Sequence, residues 1–243
     1  MRQFGLIGRT LRHSFSQAYF TQKFETLGLA DCQYELFELA DIVELPALLA
    51  AHPQLEGLNV TVPYKEQVLP YLSELAPSAA RVGAVNVIER RPDGRLIGYN
   101  TDYIGFRESL RHFYPLHNAA LVLGQGGAAK AITAALRDLG IPYRFVTRKP
   151  LHDNLTYDDL TPRILAQYSL IINTTPLGTF PNVDECPPLP YEALTPQHYL
   201  YDVVYNPAET LFMARGRAAG AQVKNGLEML RLQAEASWEI WNK

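Results

Sequence analysis

The sequence holds 243 residues, enough for one large or two small domains. Hydrophobic residues make up 47% and charged residues 19%, a balance that excludes disorder over most of the chain. A formal net charge of -3 argues against nucleic acid as a partner, because its binders carry a basic excess. No apolar run approaches the roughly 20 residues that span a bilayer, so no membrane partner is expected either.

The first eight residues are too short and too broken by Gly to form a signal peptide. Residues 4–8 read as a short buried strand ending in Gly8. Residues 17–27 carry Phe20, Phe24 and Leu27 at helical spacing, and Gly28 stops the run. A strand follows at 34–39, a helical pattern at 42–51 with Pro46 in its first turn, and a strand at 57–62. Pro63 ends that strand, and a helix starting near Tyr64 meets Pro70, which breaks it. Strand and helix alternate here, which favours a mostly parallel sheet. Residues 86–90 and 95–100 are two strands joined by Arg91-Pro92-Asp93-Gly94, a hairpin signal. Arg90, Arg91 and Arg95 then read as a solvated hairpin tip. An amphipathic helix over 103–114 presents Ile104, Phe106, Leu110 and Phe113, and a domain boundary is placed near residue 102.

A second alternating series follows. Residues 119–123 form a continuous apolar strand, residues 128–139 a helix ended by Gly140, and residues 143–147 and 169–173 two further strands. A strand at 199–204, a helix at 208–219 and a last helix at 226–241 with Leu227, Leu230, Ala234, Trp238 and Trp241 complete the chain. The expected fold class is therefore α/β with two α/β domains.

Cys32 and Cys186 are far apart in sequence and lack metal-ligand spacing, and the six His residues show no paired spacing. No metal site is expected, and a reduced, cytoplasmic enzyme is the simplest reading.

Between the apolar strand and the alanine-rich helix stand Gly124, Gln125, Gly126, Gly127, Ala128 and Ala129. Glycines in that setting let the backbone approach a pyrophosphate at a helix N-terminus, whose N–H groups and dipole favour an anion. The competing reading is a merely tight strand–helix turn. At the end of the next strand, Thr147-Arg148-Lys149 supplies two cations and no acid. That suits the 2′-phosphate of NADP rather than the bare ribose of NAD, although ordinary exposed loop cations would look the same. Thr174, Thr175, Pro176 and Leu177 close a third strand, where ligands of open parallel sheets sit.

The first half has polar clusters at strand ends: Ser14-Phe15-Ser16, Asn59 to Lys65, Gly83 to Asn86 and Gly98 to Asp102. Singly each has a plain alternative. Ser14 and Ser16 suit helix caps, Lys65 an exposed first-turn lysine, Asn86 a turn, and Asn100 and Asp102 caps for the helix that follows.

As an ordered set these clusters resemble the shikimate dehydrogenase family. The resemblance runs from Gly5 almost to the C-terminus. It is carried by His-Ser-x-Ser from His13, Asn-Val-Thr-x-Pro-x-Lys ending at Lys65, Gly-Ala-Val-Asn from Gly83, Asn-Thr-Asp from Asn100 and the Gly-rich turn at Gly124. It continues with Asn-x-Thr-Pro-Leu-Gly from Asn173, Asp-x-x-Tyr-Asn-Pro-x-x-Thr from Asp202, and Asn-Gly-x-x-Met-Leu-x-x-Gln from Asn225 to Gln233. Each motif alone is modest, but their shared order is specific.

The resemblance implies a substrate-binding domain over 1–102, a Rossmann-like NADP-binding domain over 103–225, and a C-terminal helix over 226–243 returning to the first, with the active site in a cleft between the domains. It implies reversible reduction of 3-dehydroshikimate to shikimate, with a small-molecule substrate, NADP as cofactor and a homodimer allowed. Ser14 and Ser16, helped by Tyr205, would bind the substrate carboxylate. Asn59, Thr61, Asn86, Asp102 and Gln233 would hydrogen-bond ring hydroxyls or support groups that do. Lys65 would be the general acid/base with Asp102 beside it, favouring its charged form. Gly124, Gln125, Gly126, Gly127 and Ala128 would cradle the pyrophosphate, Thr147, Arg148 and Lys149 the adenosine phosphate, and Thr174, Thr175, Pro176, Leu177, Val203, Gly226 and Met229 would lie along the ribose and nicotinamide.

Three departures from the family pattern stand out. Gln17 replaces the usual Pro after the second Ser, and the run Arg9-Thr10-Leu11-Arg12 lacks the usual Pro ahead of the His-Ser pair. Thr-Arg-Lys replaces Asn-Arg-Thr at residues 147–149, with Arg148 retained. Residues 150–169 are too short and too interrupted by Pro162 for a full crossover helix. Three rivals remain. A quinate-using or NAD-using relative is disfavoured by the paired serines and the basic segment. A non-catalytic NADP-binding protein on the same fold would be expected to lose Lys65 or Asp102. A folate-linked dehydrogenase would need a different substrate motif set.

Overall fold

The computed structural model describes residues 1–11, 14–115, 118–149 and 153–243. His13, which opens the first motif, and Pro150, which opens the interrupted stretch, lie outside the described residues. The chain divides into two compact units, residues 1–101 with 234–243, and residues 102–233.

The first unit contains β1 (Arg2–Gly8), α1 (Phe15–Thr26), β2 (Cys32–Glu38), α2 (Leu45–Ala51), β3 (Leu55–Val60), α3 (Tyr64–Gln67), β4 (Glu74–Leu75), α4 (Pro77–Val82), β5 (Val87–Arg90) and β6 (Leu96–Tyr99). Its sheet order is β2-β1-β3-β5-β6-β4. β1 pairs parallel with β2 and β3, whereas β5 is antiparallel to both β3 and β6. The parallel half reflects the strand–helix alternation, the β5–β6 pairing reflects the short hairpin after Arg90, and β4 adds to β6 in parallel.

Successive side chains of a strand face opposite sides of the sheet. Ile7, Leu58, Val60 and Ile88 therefore pack with Leu45, Tyr64 and Val68 on one face. Phe4, Leu6 and Val87 pack with Phe20 and Phe24 of α1 and with Ala234, Ile240 and Trp241 of the last helix, α9 (Leu227–Trp241), on the other. A Cβ on Gly57 would stand 2.2 Å from the Trp241 indole nitrogen, so the bare Cα is what admits that ring. The indole N–H donates to the Ile88 carbonyl at 3.1 Å, which settles its polar edge inside the core.

Several expectations shift. The 42–51 pattern resolves into a 3-10 turn, Ile42–Glu44, capped by Asp41, and then α2 with Pro46 in its first turn. β4 and α4 lie in a segment to which the sequence assigned no element. Arg90 is not part of a solvated tip: its guanidinium donates to the Leu49 and His52 carbonyls at the end of α2. Helix C-termini leave carbonyls without intrahelical donors, and a buried-stem arginine satisfies them. Arg91 pairs with Glu89, and Arg95 with Asp93.

The second unit contains most of α5 (Thr101–Phe113), then β7 (Ala120–Leu123), α6 (Gly127–Asp138), β8 (Tyr143–Thr147), β9 (Leu155–Thr156), α7 (Pro162–Leu165), β10 (Leu170–Asn173), β11 (Tyr199–Asp202), α8 (Leu211–Ala218), β12 (Gln222–Lys224) and the first turns of α9. Its sheet order is β12-β11-β10-β7-β8-β9, with every pairing parallel. All four residues of β7 and of β10 are buried. That follows from the doubly covered sheet, whose central strands cannot afford a polar face.

Among the described residues of the 150–169 stretch stand β9, a 3-10 turn at Tyr157–Asp159 and the one-turn helix α7, but no full crossover helix, and Pro162 begins α7 instead of breaking it. At the first helical position a missing N–H costs nothing. The helix after β11 starts at Leu211, three residues later than the pattern suggests, because Thr210 caps it by accepting from the Met213 N–H. The buried face of α5 is Tyr103, Phe106, Ser109 and Leu110, while Ile104 and Phe113 are half-buried. No helix among the described residues is long and apolar enough to cross a membrane.

Candidate functional site

In the first unit the polar motifs gather at the carboxyl ends of β1 and β3. Ser14 precedes α1 without capping it through its side chain, and both Ser14 and Ser16 are half-buried. Ser16 hydrogen-bonds the phenol of Tyr34, and burial pushes that phenol well above the usual tyrosine range. The Tyr34 hydroxyl donates to Asn59 Oδ1 at 2.6 Å. Asn59 Nδ2 donates to the Asn86 carbonyl at 3.3 Å and to Ser237 Oγ at 3.2 Å. Asn86 Oδ1 accepts from the Thr101 N–H at 2.6 Å, and Thr101 Oγ1 stands 3.2 Å from Ser237 Oγ.

Thr61 is half-buried just past β3, and its N–H donates to the Ile7 carbonyl. Lys65 lies in the short helix α3, half-buried. Its backbone is pinned rather than loose: the Val85 N–H donates to the Lys65 carbonyl at 2.7 Å, and buried Tyr64 donates to the Leu39 carbonyl. The one-turn helix thus holds the Lys65 backbone in a fixed position.

In the second unit Gly124 ends β7 with φ +92, a conformation that favours glycine, and a Cβ there would also press Thr175 at 2.9 Å. Gly126 is different. Its backbone is extended, at φ -73 and ψ -172, and a Cβ on Gly126 or Gly127 would meet no protein atom within 4 Å. Neither backbone nor packing asks for glycine at these two positions. The N-terminus of α6 has no side-chain cap at Gly126 and no acidic residue in its first turn. A bare, uncapped helix start fits a phosphate group placed against the main chain, and Gln125 and Ala128 stand in the same turn.

Thr147 Oγ1 donates to the Lys149 carbonyl, which curls the strand end, and Arg148 and Lys149 are exposed. Buried Asn173 organises the third strand end. Its Oδ1 accepts from the Thr175 N–H and hydroxyl, and the Leu177 N–H donates to Thr175 Oγ1. Thr174 is tied to the Leu123 carbonyl at 2.7 Å, and Pro176 lies between these bonded residues. Asn173 Nδ2 in turn donates to Asp202, which also accepts from Thr210 and from the Val204 N–H. Burial pushes the Asp202 carboxyl up to about 6 against the pull of those three donors.

Val203 and Gly226 are in contact, since a Cβ on Gly226 would lie 2.2 Å from the Val203 carbonyl oxygen. Met229 and Gln233, both buried on α9, lie against Gly105 of α5, one turn after Asp102. Tyr205 is exposed. The structure therefore gathers Ser16, Asn59 and Asn86 into one network within the first unit and places Asp102, Tyr205, Gln233 and the residues expected to meet a nucleotide in the second.

Sequence reasoning passed over Tyr34 and Ser237 and gave no role to Thr101 within its Asn-Thr-Asp motif, yet all three join the network. Tyr34 reads as an ordinary strand residue. The available signal for Ser237 is its spacing of four from Gln233, which puts two polar residues on the buried face of one helix.

A family model described as the shikimate dehydrogenase substrate binding domain matches residues 6–88. The chain is 35% identical to the shikimate dehydrogenase (NADP(+)) of Desulforamulus reducens, over 98% of this chain and 88% of that one. The solved shikimate 5-dehydrogenase of Thermus thermophilus, in complex with NADP(H) and shikimate, is 33% identical with a TM-score of 0.86, covering 99% of this chain and 93% of the other. The quinate dehydrogenase of Corynebacterium glutamicum, solved with NAD, is 26% identical with a TM-score of 0.88, covering 99% and 93%. Similarity at this level along the whole chain means that the protein belongs to the shikimate dehydrogenase family.

Proposed function

We propose that the chain reversibly reduces 3-dehydroshikimate to shikimate with NADP. The full-length similarity to proteins named for that activity carries the reading. The Gly126–Gly127 opening and the exposed Arg148 and Lys149 support the cofactor half.

The nicotinamide, when bound, supplies or accepts the hydride. The chain's residues do the rest. Lys65, held on α3, donates a proton to the ketone oxygen as that oxygen gains charge, and takes it back in the reverse direction. Ser14, Ser16 and Tyr205 offer hydroxyls to the ring carboxylate. Thr61, Asp102 and Gln233 hydrogen-bond ring hydroxyls. Asn59 and Asn86 frame the pocket through the network described above. Main-chain N–H groups from Gly124 to Ala128 hold the pyrophosphate, and Arg148, with Thr147 and Lys149, holds the 2′-phosphate. Thr174, Thr175, Pro176, Leu177, Val203, Gly226 and Met229 line the ribose and nicotinamide. A homodimer and a cytoplasmic location complete the proposal.

The fold shared with a quinate dehydrogenase favours a second reading, broader use of quinate or NAD. The test is nicotinamide absorbance with purified protein, NADP and shikimate, with quinate and NAD in parallel. A rise confined to shikimate with NADP is expected. A rise with quinate or NAD selects the second reading, and no rise from folded protein overturns both in favour of a non-catalytic NADP binder.

A further inference from the structure

The network of the first unit has a direction. Asn59 Oδ1 can only accept, so the Tyr34 hydroxyl proton is turned toward it, and the Tyr34 oxygen is left to accept from Ser16. On the other side the Asn86 carbonyl can only accept, so it demands the Asn59 NH2 group. Ser237 Oγ takes the second amide hydrogen and touches Thr101 Oγ1, which belongs to the residue that holds Asn86 Oδ1. A flipped Asn59 amide would set oxygen against the Asn86 carbonyl. Tyr34, Asn59 and Ser237 are 5%, 5% and 0% exposed, so water cannot replace a lost partner. Tyr34 is itself locked, its ring stacked 4.7 Å from that of Phe20.

We propose that Tyr34 and Ser237 are positioning residues for the substrate-binding side chains, fixing the Asn59 amide from two sides and thereby aligning Ser16 and Asn86. The inference rests on the function proposed above. Ser237 acts through Asn59, and Tyr34 acts through both Asn59 and Ser16, each of which it bonds directly.

Steady-state kinetics of the intact protein with shikimate and NADP, on Tyr34→Phe and Ser237→Ala, tests it. Each variant should raise the shikimate KM about tenfold, the equivalent of one hydrogen bond, with the NADP KM unchanged. In an Asn59→Ala background Ser237→Ala should add little, because the amide it orients is gone, whereas Tyr34→Phe should keep a residual effect through Ser16. If Tyr34→Phe fails to fold, Ser237→Ala, which removes a single oxygen, decides the matter. Shikimate KM values within twofold of wild type overturn the inference while leaving the enzyme reading intact. Shikimate and NADP KM values that rise together also overturn it, since general loosening would do that. A wild-type protein without shikimate turnover overturns the function and this inference together.

Discussion

Gly126→Ala separates the fold's demands from the cofactor's. At φ -73 and ψ -172 alanine is unstrained, and its Cβ meets no atom within 4 Å. Two small stability terms oppose each other. Alanine is a poorer N-cap than glycine by roughly 0.5–1 kcal/mol, and it stiffens the unfolded chain for a gain of roughly 0.4–1 kcal/mol. The net change should fall within about 1 kcal/mol of zero, a melting shift of no more than about 4 °C for a chain of this size. The methyl group, however, would occupy the space through which a phosphate reaches the main-chain N–H groups. Losing one charge-assisted hydrogen bond, about 1.5–3 kcal/mol, weakens NADP binding roughly 10- to 150-fold. Thermal melts and calorimetric titration with NADP measure the two quantities on one sample. Unchanged NADP affinity in a stable variant would refute the cradle. A large fall in melting temperature would mean that the fold, not the cofactor, asks for this glycine.

Three further outcomes are expected. Lys65→Ala should lower kcat about 100- to 10,000-fold with little change in shikimate KM; equal losses in both would make Lys65 a positioning group. Arg148→Ala should weaken NADP binding about tenfold or more while leaving NAD binding alone, because only NADP carries the 2′-phosphate; parallel losses would place Arg148 elsewhere on the nucleotide. Asp202, pushed up to about 6 from an ordinary 3.8, keeps its proton in the folded state after the unfolded chain has released it. Its contribution is complete below pH 3.8 and is lost as pH rises through about 6, on the order of 3 kcal/mol. Urea unfolding of wild type and Asp202→Asn between pH 4 and 7 should show that extra decline in wild type alone, and parallel curves would contradict the shift.

The sequence by itself determined the two α/β halves and the motif positions, because both are written in local chemistry. Continuous apolar runs such as residues 119–123 announce strands covered on both faces. A strand, a Gly-rich turn and an alanine-rich helix are contiguous, so the proposed nucleotide cradle is legible in six residues. Polar residues clustered at strand ends, such as Asn59 and Lys65, stand out against the apolar strand before them. Long-range partnership was not legible. Nothing local says that Arg90 reaches the carbonyls ending α2, or that Asp202 meets Asn173 across two strands. Nothing local distinguishes Gly124, which the backbone requires, from Gly126, which it does not. Tyr34, Asn59 and Ser237 are up to 203 positions apart in the sequence, and only the packing of β2, β3 and α9 joins them. Backbone propensities and apolar periodicity act between near neighbours, whereas the orientation of a buried amide is set by whichever distant donors and acceptors the completed fold brings to it.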